Sequence, residues 1–170
     1  LDSLEMTATI RGFEPLYIQR IAQLTNKSNQ FNLTTLRCSE DDIRAMAADA
    51  DALCLCGKLV DKFGDNGIVT VVAGKRQGDL LDLTLWLMSC RVLKRGMEDA
   101  MMDTLMAQAA AAGVKTVVGH YYPTAKNAMV RDFYAQFGFA KTAEDAEGNT
   151  EWRLEVSGYE PKHPHMKIER

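Results

Sequence analysis

The chain has 170 residues, of which 46% are hydrophobic, 8% aromatic and 25% charged, the size and composition of one soluble globular domain with a single core. Twenty basic against twenty-three acidic side chains give a formal charge of -3, which excludes a nucleic-acid partner held by bulk positive charge. Apolar stretches such as Leu85–Met88 and Ala109–Ala112 fall far short of the ~20 residues that span a bilayer, so no membrane partner is expected.

The chain opens on Leu1-Asp2-Ser3 without a basic start leading into an apolar stretch. No secretory signal is expected, and the sequence reads as a piece of a longer, cytoplasmic protein. Cys54 and Cys56 stand two apart, on one face of a strand, where they do not pair. All four cysteines, with Cys38 and Cys90, are expected to be reduced and mostly buried. His120, His163 and His165 do not share metal-ligand spacing with them, and no metal is expected.

In chain order, Leu4, Met6, Ala8 and Ile10 alternate with more polar residues, which predicts a strand ending at Gly12. Pro15 suits a helix start, followed by Tyr17, Ile18, Ile21, Leu24 and Phe31 at helical spacing. Ser39 with Asp42 predicts a capped helix over Asp41–Asp49. Strands follow at Ala52–Val60 and Ile68–Ala73, joined by Gly64-Asp65-Asn66-Gly67, whose Asn-Gly pair signals a hairpin. A third strand spans Leu80–Met88. Met97, Met101, Leu105, Gln108 and Ala112 mark a long helix closed by Gly113. Val114–Tyr121 reads as a buried strand, Pro123–Phe137 as a helix, and Phe139–Ala143 with Trp152–Val156 as a final strand pair. The order β-α-α-β-β-β-α-β-α-β-β implies an α/β domain with a mixed central sheet over 1–157. The polar, proline-broken stretch 158–170 is expected to be a loose tail.

In this order the chain resembles the GNAT acyltransferase family over nearly its whole length. The segment from Asn127 to Phe139 is similar to that family's late motif N-x-x-A/V-x-x-x-Y-x-x-x-G-F. The resemblance implies that Asn127 contacts a pantetheine arm and that Tyr134 acts as general acid beside the thioester sulfur; Tyr134 could equally be an amphipathic packing residue. The stretch Cys90–Glu98 stands where the family places a phosphate-cradling turn, and Ser89, Arg91, Lys94, Arg95 and Gly96 become candidate cofactor-binding residues. Leu93 and Glu98 depart from that pattern. A carboxylate at Glu98 suits the helix dipole, by about 0.3–1 kcal/mol, but competes with a pyrophosphate for the same positive end.

A narrower resemblance, carried by Gln23–Thr35, Asp61–Gly67 and Ser89–Glu98, is to the C-terminal region of FkbH-like proteins. It implies an upstream HAD-type domain in the same chain, an acyl carrier protein as partner, acyl-CoA or acyl-phosphopantetheine as co-substrate, and a role in polyketide-type biosynthesis. The Asp-x-Asp signature of HAD chemistry is absent from these residues. Five of the ten residues from Gln23 to Asn32 are Asn or Gln. Gln23, Asn26, Asn29, Gln30 and Asn32 are therefore candidate substrate-binding residues, since amides hydrogen-bond an arm or a glyceryl unit but do not titrate. Capping of the chain's own backbone is the alternative.

Cys90, at the end of the fourth strand, could accept an acyl group or be an inert thiol. His120, ending the fifth, could serve as general base or be structural. Three functions stay open: acyl transfer from a pantetheine thioester, non-catalytic presentation of a carrier-bound arm to the upstream domain, and ordinary CoA-dependent N-acetylation. A V-shaped opening is expected between the strands that end near Met88 and His120.

Overall fold

The computed structural model describes residues 5–93 and 95–170. Its frame is one eight-stranded sheet: β1 (Thr7–Arg11), β2 (Ala52–Asp61), β3 (Gly64–Gln77), β4 (Leu80–Met88), β5 (Thr116–Tyr121), β6 (Ala140–Glu144), β7 (Thr150–Glu155) and β8 (Lys167–Glu169). The strands lie in the order β6-β7-β5-β4-β3-β2-β1-β8, with β1–β8 and β4–β5 parallel and the other neighbours antiparallel. Helices α1 (Ile18–Lys27) and α2 (Glu40–Ala48) cover one face and α3 (Met97–Ala111) the other.

Local chemistry explains most of the elements. Ser39 accepts from the Asp42 amide while Asp42 accepts from the Ser39 amide, so a reciprocal capping box opens α2. Gly113, at φ +83°, takes the left-handed conformation that ends α3. That helix buries Met97, Ala100, Met101, Met102, Thr104, Leu105, Met106 and Ala109. Ala109 belongs to its buried side, while Gln108 and Ala112 are exposed.

Four expectations are corrected. The β2–β3 hairpin turns at Lys62-Phe63, between the paired Asp61 and Gly64, with the Asp61 carboxylate accepting from the Phe63 amide. Asn66-Gly67 falls instead in a register shift of β3 between the pairs Val60–Asp65 and Lys58–Ile68. Its turn-forming chemistry serves a bulge there. Pro15 opens a short 3-10 turn, Pro15–Tyr17, and the helix after it ends at Lys27, well before Phe31.

The helix expected over Pro123–Phe137 is two 3-10 turns, Ala128–Val130 and Tyr134–Phe137. Three residues per turn stack positions i and i+3, which aligns Asn127, Val130 and Phe133 in one fully buried row. Lastly, 158–170 is docked: Asp103 of α3 accepts from the Tyr159 hydroxyl at 2.5 Å, the Lys162 amide at 2.8 Å and the His163 amide at 2.9 Å, and the chain ends as β8 beside β1. Asp103, hidden in the helical pattern, supplies the anchor.

Tyr134 lies at the junction of the sheet and these turns, packed edge-on against Trp86 and over Gly119 of β5. A Cβ at Gly119 would come within 2.5 Å of the Tyr134 ring. Gly119→Ala is expected to destabilise the domain by about 2–3 kcal/mol through overpacking, measured as a shift in denaturant midpoint. Adding Tyr134→Leu should recover part of the loss; strict additivity of the two changes would refute the contact.

Candidate functional site

β4 and β5 pair only where Leu80–Asp82 lies beside Thr116–Val118. Beyond Asp82 they diverge, as expected, and the free edge of β4 is taken up by the chain itself. The Leu33 amide donates to the Trp86 carbonyl and the Met88 amide to the Phe31 carbonyl, both at 3.0 Å. The Thr34 hydroxyl donates to the Thr84 carbonyl at 2.8 Å, and the Tyr122 amide to the Leu33 carbonyl at 2.9 Å. Phe31–Thr34 thus lies as an extra strand between β4 and the end of β5. Phe31, Asn32 and Leu33 are buried, and Phe31 meets Phe133 edge-on at 5.4 Å between ring centroids.

Asn127 holds this segment in place. Its side-chain amide donates to the carbonyls of Asn32 and Tyr122 at 2.9 and 3.0 Å, and its oxygen accepts from the Thr124 amide at 2.8 Å and the Tyr121 hydroxyl at 3.3 Å. Asn32 folds its own turn, donating to the Ser28 carbonyl and accepting from the Thr35 amide. The polar side chains of both residues are consumed by the fold. Tyr134 is 2% exposed, and burial, followed by the charge of Asp82, pushes its phenol far above the ordinary range.

At the N-terminus of α3 an internal anion is already in place. The Glu98 carboxylate lies near its own amide and that of Gly96, both of which favour its ionised form, and Gly96, at φ +88°, starts the helix. Its Oε2 is buried without a partner. Burial raises the Glu98 pKa, and neighbouring Asp99 adds to the rise. Arg95 is committed to an ion pair with buried Asp61, and Pro164 and Met166 of the C-terminal segment cover Gly96. Lys94 lies outside the described residues.

The remaining candidates divide among three places. Asn29, Gln30, Ser89, Cys90 and Arg91 line one open cleft of about 760 Å³ at the end of β4, together with Arg20, Leu24, Lys27, Ser28, Met88 and Lys126. Contrary to expectation Cys90 is exposed there, its thiol donating to the Gln30 side-chain oxygen at 3.2 Å. Cys54 and Cys56 show the opposite chemistry, burial pushing their thiols up to about 11 and about 12. Gln23 and Asn26 border a different cleft with Cys38, Ser39 and Glu40. Asn26 uses its amide to tie the Ala22 and Cys38 carbonyls together at 2.9 Å each. Because α1 ends at Lys27, Gln30 does not share a helical face with them.

His120 forms a third group. Its Nε2 lies 2.5 Å from Asp82 Oδ1, its ring 5.9 Å from that of Tyr122, and it is paired in register with Glu151 of β7. A carboxylate on one imidazole nitrogen leaves the other as a base, so this pair has general-base geometry. Asp82 to Met88 is six strand residues, on the order of 20 Å at about 3.3 Å per residue, and Cys90 follows in the turn after β4. The His120–Asp82 pair and Cys90 therefore lie toward different ends of β4. Asp82, Arg20, Lys27 and Lys126 escaped the sequence reading; the Arg20–Lys27 spacing, two helical turns on α1, was the available signal. Among the described residues no group of three or more His, Cys, Asp or Glu is placed to hold a metal, and no helix is long and apolar enough to cross a membrane.

No protein-family model matches the chain, and no curated protein matches its sequence. Solved structures match it in shape. The ribosomal-protein-S18-alanine N-acetyltransferase from Escherichia coli superposes with a TM-score of 0.66 at 14% identity, over 88% of this chain and 94% of that one. The GNAT domain of S. lividans PAT gives 0.65 at 16% identity, over 86% and 89%. Spermidine N-acetyltransferase from Vibrio cholerae, in complex with CoA and spermine, gives 0.65 at 11% identity, over 88% and 96%.

The fold is the GNAT fold.

Within a GNAT fold, the resemblance sets the arm beside Asn127 and Tyr134 and the pyrophosphate at the start of α3. Here Phe31–Thr34 lies against Asn127, and Glu98 stands in the first turn of α3. Two outcomes follow. Asn127→Leu should cost about 3 kcal/mol by stranding the Asn32 and Tyr122 carbonyls and should speed hydrogen exchange at the Leu33 and Met88 amides; unchanged exchange would remove the anchoring role. For Glu98, a folded pKa above the ordinary ~4.3 means that its ionised form opposes folding above the raised pKa and is neutral below ~4.3. Glu98→Gln should therefore raise the melting temperature near pH 8, with the advantage shrinking to nothing as the pH falls toward about 4. An equal effect at all pH values would contradict this.

Proposed function

We propose that this domain recognises a phosphopantetheine thioester on an acyl carrier protein and presents its acyl or glyceryl group to a catalytic domain upstream in the same chain. The setting would be polyketide-type biosynthesis, with 1–157 as the GNAT-fold unit and 158–170 as its C-terminal strap. One observation carries the preference over free CoA: the chain fills its own groove, with Phe31–Thr34 on the β4 edge and the Glu98 carboxylate on α3. A carrier-linked arm has no adenosine diphosphate to place at α3, and the cleft that contains Asn29, Gln30, Ser89 and Cys90 stays open to it. Presentation needs no proton donor, whereas transfer would use Tyr134, which is 2% exposed and packed over Gly119. The resemblance of three separated segments to FkbH-like proteins is what suggests the carrier protein and the upstream HAD-type domain.

Ordinary CoA-dependent N-acetylation is the second reading. The splay of β4 from β5 and a neighbour crystallised with CoA favour it. It requires Phe31–Thr34 to leave the β4 edge.

Titrating the intact chain with free CoA and, separately, with apo and phosphopantetheinylated carrier protein distinguishes the two. The carrier reading expects the modified carrier to bind at least about ten-fold more tightly than either the apo carrier or CoA, a difference of about 1.4 kcal/mol. CoA binding more tightly than the modified carrier, with accelerated exchange at Leu33 and Met88, would establish the acetyltransferase reading instead.

A further inference from the structure

The cleft at the end of β4 carries a charge pattern that the packing of the fold does not demand. Arg20 and Lys27 flank Leu24 on one side of α1, Arg91 comes from the turn after β4, and Lys126 from the chain after β5. Four cations from three parts of the chain thus converge on one opening that, among the described residues, no Asp or Glu lines. Among the described residues none of the four joins an ion pair, although acids outnumber bases in the chain. Two of them feel one another directly: burial, and then the charge of Arg91, lower the Arg20 pKa.

The neutral groups around the opening are arranged as donors. Arg37 braces the loop from behind, donating to the carbonyls of Thr25 and Ser28 and to the Asn29 side-chain oxygen at 2.5 Å. The Gln30 oxygen is engaged by the Cys90 thiol. With both amide oxygens occupied, Asn29 and Gln30 offer N–H groups. Uncompensated cations, two planar guanidiniums and amide donors together suit a multivalent oxyanion, and guanidinium forks match phosphate geometry. The start of α3 is less suited to it, since Glu98, Asp99 and Asp103 lie in its first two turns.

We propose that this cleft binds a phosphate ester, with Arg20, Lys27, Arg91 and Lys126 neutralising the phosphate and the Asn29 and Gln30 amides bonding the group it esterifies. The phosphate can come from a pantetheine arm or from a free phosphorylated metabolite, and only the first of these sources rests on the proposed function.

Calorimetric titration of the intact chain with inorganic phosphate, 4′-phosphopantetheine and pantetheine tests the site. Inorganic phosphate and phosphopantetheine are expected to bind, with pantetheine weaker by at least about ten-fold. Arg20→Gln and Arg91→Gln should each weaken phosphopantetheine by about ten-fold. Lys126→Gln, at an exposed side chain, gives a variant that leaves the packing untouched and should also weaken it. Arg131→Gln, at an exposed arginine outside the cleft, should change nothing. Equal affinity for pantetheine and phosphopantetheine would overturn the phosphate site while leaving the carrier reading intact, and so would phosphate binding that survives both Arg91→Gln and Lys126→Gln. Binding of phosphate with no preference for phosphopantetheine over inorganic phosphate would keep the site, assign it to a free metabolite and count against the carrier reading.

Discussion

The unpaired edge of β4 is the constraint on which the rest of this molecule depends. Once β5 turns away after Val118, the backbone groups of Thr84, Trp86 and Met88 face a gap in the middle of the sheet, and buried backbone groups without partners are strongly unfavourable. A thioester arm is one way to satisfy such an edge; this chain supplies its own. Placing Phe31–Thr34 there forces α1 to stop at Lys27 and brings Gln30 to Cys90. It also requires a side chain that can bridge Asn32 to Tyr122, which is Asn127. The row of Asn127, Val130 and Phe133 beneath the segment then accounts for the tighter 3-10 winding that replaces the expected helix.

Electrostatics divides two separate places on the molecule. Acids gather where α3 begins, with Glu98 close to the first amides of the helix, and the segment anchored by Asp103 covers Gly96. Cations gather where β4 ends. A net charge of -3 conceals this separation, because composition averages over surfaces that lie on different sides of the sheet. At physiological salt, charges beyond about 8 Å are screened from one another, so the cationic cleft at the end of β4 acts on a ligand independently of the acids of α3.

The sheet was legible in the sequence because its strands follow alternation, the α2 cap follows Ser39 with Asp42, and the left-handed stop of α3 follows Gly113. Those signals are local. Asn66-Gly67 misled because turn-forming chemistry suits a bulge as well as a hairpin, and the pairing register chooses between them. The segment 158–170 misled for a related reason: its polarity and prolines described exposure correctly but carried no sign of Asp103, far away in sequence, which binds it. Asn32 was visible as an amide, but its role depends on contact with a residue 95 positions away. Periodicity cannot report such a contact.

The two residues that a motif would have made functional show how a fold and an activity separate. A late N-x-x-A/V-x-x-x-Y pattern places an amide near the splayed strands and a phenol beneath them, and this structure obeys the pattern in position. Yet every polar atom of the Asn127 side chain is bonded within the protein, and the Tyr134 ring packs against Gly119, where a larger residue would have no space. The same positions can thus serve a ligand or replace one, depending on whether the loop after α1 reaches the β4 edge. Position in the fold was therefore a weaker guide to chemistry than the partners of each polar atom. Those partners point to the open cationic cleft, where Arg20, Lys27, Arg91 and Lys126 form no ion pair with any described residue, as the place where a ligand meets this domain.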